Sequence, residues 1–228
     1  MKLSESIGGR DRYACNMREK DTSVSKKPAP VRRRGRPKGD EVRVAILAAA
    51  SELLGKKGFA KFTIEAVALK SGAARSSIYR WWPTRGALGM AALMAEARPR
   101  IAYPATASAI DDIRQQMMRV AEVYSGSVGR IIATIVAEGQ ADHATMRAMI
   151  EGYVLPRRDE ARLVLERAVA IGELRADLNP DLVIDALYGP IWYRLLVPHQ
   201  PLTVDWVSKL ADIVLGGLQP GAIGKPAR

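Results

Sequence analysis

The sequence predicts an all-α chain, with an N-terminal three-helix head carrying a helix-turn-helix and a longer α-helical body behind it. Three observations carry this. Apolar residues recur at three- and four-residue steps through most of residues 40–218, the period of helices with a buried face. No segment alternates apolar and polar residues as a half-buried strand does. Pro99, Pro104, Pro156, Pro180, Pro198 and Pro201 fall at or near the ends of the periodic segments, where a missing N–H costs least.

Residues 1–39 come first. They are polar, charged and broken by Pro28, Pro30 and Pro37, a composition that buries too little surface to offset chain entropy, so a flexible basic arm is expected. Its end, from Lys26 to Lys38, holds seven positive charges in thirteen residues. One reading is a solvated basic tail. The other rests on Arg34-Gly35-Arg36-Pro37, which resembles an AT-hook, in which Arg34 and Arg36 would enter a narrow A·T minor groove.

The head is expected over residues 40–87. Val42, Ala45, Ile46, Ala49, Ala50, Leu53 and Leu54 draw one apolar stripe, Asp40 can cap its start, and Lys56 and Lys57 suit its negative end. Gly58 can take a left-handed exit. Thr63 then offers a hydroxyl cap to a short helix bearing Ile64, Val67 and Ala68 on one face. Ser71-Gly72-Ala73 forms a tight turn, and a third helix from about Ala74 to Trp81 turns Ile78 inward. Residues 63–82 thus have the outline of a helix-turn-helix.

Charge supports that outline. The net charge is +11, with 20 Lys and Arg against 8 Asp and Glu in residues 1–87, and 15 against 16 in residues 88–228. A cationic front on a nearly neutral body is the electrostatic footprint of a polyanion partner, here double-stranded DNA. The single Cys15 excludes a disulfide framework and a multi-thiolate zinc site, and His143 and His199 are the only imidazoles; no metal or cofactor is expected. No apolar signal-like run opens the chain, and the longest apolar run, Leu182 to Val197, contains Asp185 and Arg194 and is too short to span a bilayer. A cytoplasmic protein without a membrane partner is expected.

On the third helix Arg75 can give a bidentate fork to guanine, while small Ser76 and Ser77 permit close approach to base edges. Tyr79, Arg80 and Trp82 can reach phosphates or sugars, and Thr63 can supply a hydroxyl to another phosphate. Tyr79 and Trp82 can equally be packing aromatics. Together, Thr63-Ile64-Glu65-Ala66-Val67-Ala68, Ser71-Gly72-Ala73 and Ser77-Ile78-Tyr79-Arg80-Trp81-Trp82-Pro83 resemble the TetR/AcrR family of transcriptional regulators, over roughly residues 41–98. The resemblance implies a phosphate contact for Arg85, which stands where the family usually has Lys. It also implies a homodimer on an inverted-repeat operator, released by a small inducer. Ala74, where the family often has Ser or Thr, and the long arm are departures from that pattern.

Residues 88–228 are expected to form a helical ligand-binding and dimerisation domain, with segments near 86–98, 110–125, 127–139, 142–153, 156–172, 180–197 and 203–218. Met94, Met117, Met118, Ala121, Tyr124, Ile135, Met149 and Tyr153 belong to a Met-rich apolar set. Such a stripe is core packing or the lining of a pocket for a small apolar inducer; Glu138 and Gln140 are weaker polar candidates. The last two helices are apolar nearly all round. One face can fill the core while the other meets something else, so Leu187, Ile191, Tyr193, Leu195, Val207, Leu210, Ala211, Val214 and Leu218 are expected to form a four-helix interface between two copies, the alternative being internal core only. Pro190 is expected to kink its helix.

Two other classes stay open to such a chain. An architectural DNA binder dominated by the arm would show little site preference. An enzyme would need a reacting constellation, but Asp111-Asp112 diverge or cap a helix, Asp142-His143 reads as a helix start and an exposed imidazole, and Ser125-Gly126-Ser127 lacks a strand before it.

Overall fold

The computed structural model describes residues 38–221, which are helical and contain no strand. The proposed arm, with Arg34 and Arg36, lies outside the described residues. In the head, α1 (Lys38–Lys57) is followed by a 3-10 turn (Phe59–Lys61), α2 (Ile64–Ser71) and α3 (Arg75–Trp81). The body contains α4 (Arg85–Ala97), α5 (Ala109–Tyr124), α6 (Ser127–Ala141), α7 (His143–Met149), α8 (Leu155–Ala170), α9 (Pro180–Leu196) and α10 (Val204–Gly216).

Local chemistry sets these boundaries. The Thr63 hydroxyl accepts from Ala66 N at 3.1 Å and caps α2, and Gly72 closes it at φ 71° in the left-handed region. Thr84, Ser108, Asn179 and Thr203 cap α4, α5, α9 and α10 in the same way. Ala74 precedes α3 without a side-chain cap, and its backbone carbonyl alone accepts from Ser77 N at 2.9 Å.

Ile46, Ala50 and Leu54 of α1 meet Phe59, Phe62, Val67, Ile78 and Leu88 in a dry head core. The first turn of α1 departs from the expected stripe, since Val42 and Ala45 are exposed: α2 and α4 cover only the later turns. The division drawn at residues 87 and 88 falls inside α4, which packs on α1 on one side and on α6 and α7 on the other. Two glycines permit that contact. A Cβ on Gly86 would lie 2.4 Å from Thr145 Cγ2, and one on Gly89 would lie 2.8 Å from a ring carbon of Phe59.

Pro156 does not end a helix. The backbone runs through α7, a π-turn (Ile150–Val154) and α8. The widened turn gives the proline ring room against the carbonyl four residues back, and π-turns of this kind often stand beside functional sites. Likewise α9 continues through Pro190.

Four residues of the expected dimer set need correction. Leu187, Ile191, Val207 and Ala211 are fully buried in this chain's own core, and Leu195, Leu210, Val214 and Leu218 are half-buried against it. The cause is that α9 packs on α5, α6, α8 and α10 at once, and α10 lies along α5. The large apolar side chains left uncovered include Leu182 and Tyr193 of α9, at 67% and 58% exposure, and Ile213 of α10, at 76%. Of the predicted set, Tyr193 is exposed.

Candidate nucleic-acid interface and ligand cavity

α3 stands clear of the head core on one side. Ile78 is its buried anchor, whereas Arg75, Ser76, Tyr79 and Arg80 are exposed and Ser77 is half-buried. Arg75 reaches Glu65 of α2 at 3.3 Å, both side chains being well exposed, an ion pair weak enough to open to a competing acceptor. Thr63 accepts the α2 cap bond on its hydroxyl oxygen, which leaves the hydroxyl proton outside that bond. The side of this short helix turned away from the core thus carries two cations, two hydroxyls and a phenol, donors of the kind that base edges and phosphates accept.

Two members of the expected interface are engaged elsewhere. Trp82 is only 6% exposed, with Arg43 over its ring at 5.9 Å. Its bulk closes the head core after Ile78, so it is a packing anchor and not a surface contact. Arg85 is half-buried: it donates to the Phe62 carbonyl at 3.3 Å, lies over the Phe59 ring at 4.6 Å and ion-pairs with Glu138 of α6. The family resemblance implies a phosphate contact for Arg85; packing turns it toward the body.

A second polar tie joins the same elements. The Thr84 and Thr145 hydroxyls are 2.9 Å apart, and Thr145 lies 2.6 Å from the Asp142 carboxylate. A carboxylate only accepts, so Thr145 donates to Asp142 and Thr84 donates to Thr145. The hydrogen bond from Thr145 holds the Asp142 carboxyl below its ordinary range. The start of α4 is thus tied both to α6 and to α7.

Beyond these ties lies a cavity of about 480 Å³, within the range of sites for small organic molecules. Of the predicted pocket set, Tyr124, Met149 and Tyr153 line it. Met94, Met117, Met118, Ala121 and Ile135 do not; Met117, Ala121 and Ile135 are instead buried in the core and Met94 is packed against it. Gln140 is on the rim, while Glu138 is occupied by Arg85. The wall that sequence reasoning missed comes from Tyr103 in the α4–α5 loop and from Ile184, Tyr188, Ile191 and Trp192 of α9. For the α9 residues the signal is that helix's dense aromatic run, one face of which turns inward.

The phenols form two groups. Tyr188 donates to Gln116 Oε1 at 2.6 Å, the Tyr103 hydroxyl lies 2.8 Å from that of Tyr188, and Gln116 donates to the Ile101 carbonyl at 3.1 Å. Tyr124 and Tyr153 are hydrogen-bonded to each other. Burial pushes the Tyr153 phenol up to about 12 and raises those of Tyr188 and Tyr103. Among the described residues no cluster of His, Cys, Asp or Glu could hold a metal ion, and no single helix is long and apolar enough to cross a membrane.

Comparison with known proteins agrees with this architecture in both halves. Residues 46–92 match the family described as bacterial regulatory proteins, tetR family, and residues 103–214 match the tetracyclin repressor-like C-terminal domain. The uncharacterized HTH-type transcriptional regulator YdeS of Bacillus subtilis is 32% identical over 187 residues, 82% of this chain and 94% of its own length. The DNA-binding transcriptional repressor TetR of Mycobacteroides abscessus is 25% identical over 81% of this chain and 98% of its own. The crystal structure of the TetR family transcription regulator SCO0332 superposes with a TM-score of 0.73 at 31% identity, covering 79% of this chain and all of that one. The chain belongs to the TetR family of helix-turn-helix, DNA-binding transcriptional regulators.

Proposed function

We propose that the chain is a ligand-responsive repressor, acting in the cytoplasm as a homodimer on an inverted-repeat operator and released when a small molecule fills the cavity. Arg75, Ser76 and Ser77 supply base discrimination. Thr63, Tyr79, Arg80 and the arm residues Arg34 and Arg36 supply the salt-dependent backbone and minor-groove contacts. Repression is favoured by the name of the Mycobacteroides abscessus relative.

The observation that carries the reading is the double tie at the start of α4. Arg85 is held by Glu138, and Thr84 by Thr145; Gln140 and Met146, close by on α6 and α7, line the cavity. A guest that displaces α6 or α7 therefore pulls on the residues joining α4 to the reading head. Release follows only if the guest has unequal affinity for the two head spacings.

Dimerisation is supported by the uncovered face of α9. Leu182, Ala186, Gly189, Tyr193 and Leu196 are exposed and recur at alternating four- and three-residue steps, the spacing of a helix-pairing seam. An isologous contact through it would present two α3 helices to one duplex.

Selection of bound duplexes from a random pool tests this reading. A recovered site with two-fold symmetry and half-sites about one helical turn apart or a multiple of that is expected. Recovery of duplexes without common sequence would overturn it in favour of an architectural binder.

A further inference from the structure

The cavity uses residues that the chain otherwise spends sparingly. Aromatics are 6% of the sequence, yet four of its seven tyrosines and one of its four tryptophans stand around this one space. Trp192 meets Tyr124 at 6.1 Å and Tyr153 at 6.4 Å, both edge to face. Such a corner of rings offers flat, polarizable walls. Val120, Val136 and Ile184 complete an apolar lining.

Counting protons defines the polar part. Tyr188 has given its proton to Gln116, so the contact with Tyr103 requires Tyr103 to donate; both phenolic protons of that chain are then assigned. The Tyr124 and Tyr153 pair is different. Whichever of them donates, the other keeps one phenolic proton with no acceptor assigned by this pairing. A buried donor is costly to leave unmet, so this pair calls for one acceptor atom on a guest.

Charge narrows the class further. Arg157 and Arg158 reach the lining, but Arg157 pairs with Glu160 and Arg158 with Asp181 and Asp185. An anionic guest finds both guanidiniums engaged. A cationic guest meets the same two guanidiniums, and the one carboxylate on the lining, Asp185, is held by Arg158. The burial that lifts the phenols would also penalise a charge brought in by the guest.

We propose that the cavity takes a neutral, ring-bearing molecule whose carbonyl, ether or hydroxyl oxygen accepts the spare proton of the Tyr124 and Tyr153 pair. This rests on the reading of the cavity as the inducer site. It adds charge state, ring content and the location of the polar anchor.

Equilibrium dialysis of the full chain against four naphthalene probes of similar shape tests it: 2-acetylnaphthalene, 2-ethylnaphthalene, 2-naphthoate and protonated 1-(2-naphthyl)ethylamine. The ketone should bind about fivefold tighter than the ethyl hydrocarbon, the effect of one hydrogen bond. Both ions should bind at least about tenfold more weakly than the ketone. In Tyr124→Phe/Tyr153→Phe the preference for ketone over hydrocarbon should vanish while the hydrocarbon still binds, which also reports that the cavity has formed. The ranking on the unaltered chain stands as a test by itself if the double variant does not fold. Either ion binding as tightly as the ketone, a ketone preference that survives in the double variant, or no binding of any probe overturns the proposal. A parallel gel shift on the selected duplex separates it from the inducer reading. Ketone binding without DNA release removes only the inducer reading, whereas release by naphthoate in preference to the ketone removes only the neutral-guest assignment.

Discussion

Arg85, the first residue of α4, is ion-paired with Glu138 of α6, and the two side chains remain about a third exposed. A cation at the edge of the head is therefore held by the body that contains the cavity. Release of this pair would return one positive charge to the DNA-facing end of the molecule.

Glu138→Gln should uncouple the pair at a stability cost of no more than about 1 kcal/mol, because partly exposed ion pairs contribute little. With Arg85 free, operator affinity should rise, and the slope of log affinity against log salt should steepen by about one. Fluorescence anisotropy at several salt concentrations checks this. An unchanged slope would assign Arg85 to holding the two parts together in the bound state as well.

Arg75 and Trp82 separate reading from packing. Arg75→Ala should leave the melting temperature almost unchanged, since the side chain is exposed, and should weaken the selected operator by about 1–3 kcal/mol with little effect on random DNA. Trp82→Ala should lower stability by about 3–5 kcal/mol, because its buried ring closes the head core. Thermal melts and competition binding of the two variants distinguish these effects.

Leu182 and Leu187 lie on opposite sides of α9. Leu182→Arg, on the uncovered face, should convert a dimer to a folded monomer in light scattering, whereas Leu187→Arg should unfold the chain by burying a charge in its core. A Leu182→Arg protein that stays dimeric would place the interface on another face.

Stability should fall on the acid side alone within the range pH 7 to 2. Lys56 and Lys70 hold the Glu52 carboxyl down at about 2. Burial pushes Asp112 up, but hydrogen bonds from Thr106 and Arg167 outweigh it and leave its carboxyl below the ordinary 3.8. Contacts with Arg158 and Arg162 lower Asp181 as well. Carboxyls depressed in the folded chain contribute stability that is full above their unfolded values and is lost as pH falls through the folded ones. Melting temperature should therefore be nearly flat from pH 7 to 5 and fall from about 4 toward 2. Asp112→Asn should remove part of that acid dependence and cost about 2 kcal/mol at pH 7, read by chemical denaturation at both ends of the range.

The head was legible because its instructions are local. Thr63 caps within one turn, Gly72 supplies the left-handed exit, and Ile78 is the inward residue of a helix too short to offer alternatives. The body was legible as helices but not as faces. On α9 a helix apolar nearly all round leaves its orientation undetermined, and Tyr188, Ile191 and Trp192 proved to wall the cavity.

Taken alone, the sequence determined the helical class, the cationic front, the capped helix-turn-helix and the polar residues of α3, since each follows from periodicity, charge or a contact only a few residues long. The tertiary structure alone decided that Trp82 is buried, that Arg85 turns to Glu138, that five of the expected pocket residues do not line the cavity and that α9 shows Leu182 and Tyr193 outward. The reason is physical: these outcomes depend on which surfaces of separate helices meet, and pairs such as Arg85 and Glu138, 53 residues apart, leave no local pattern.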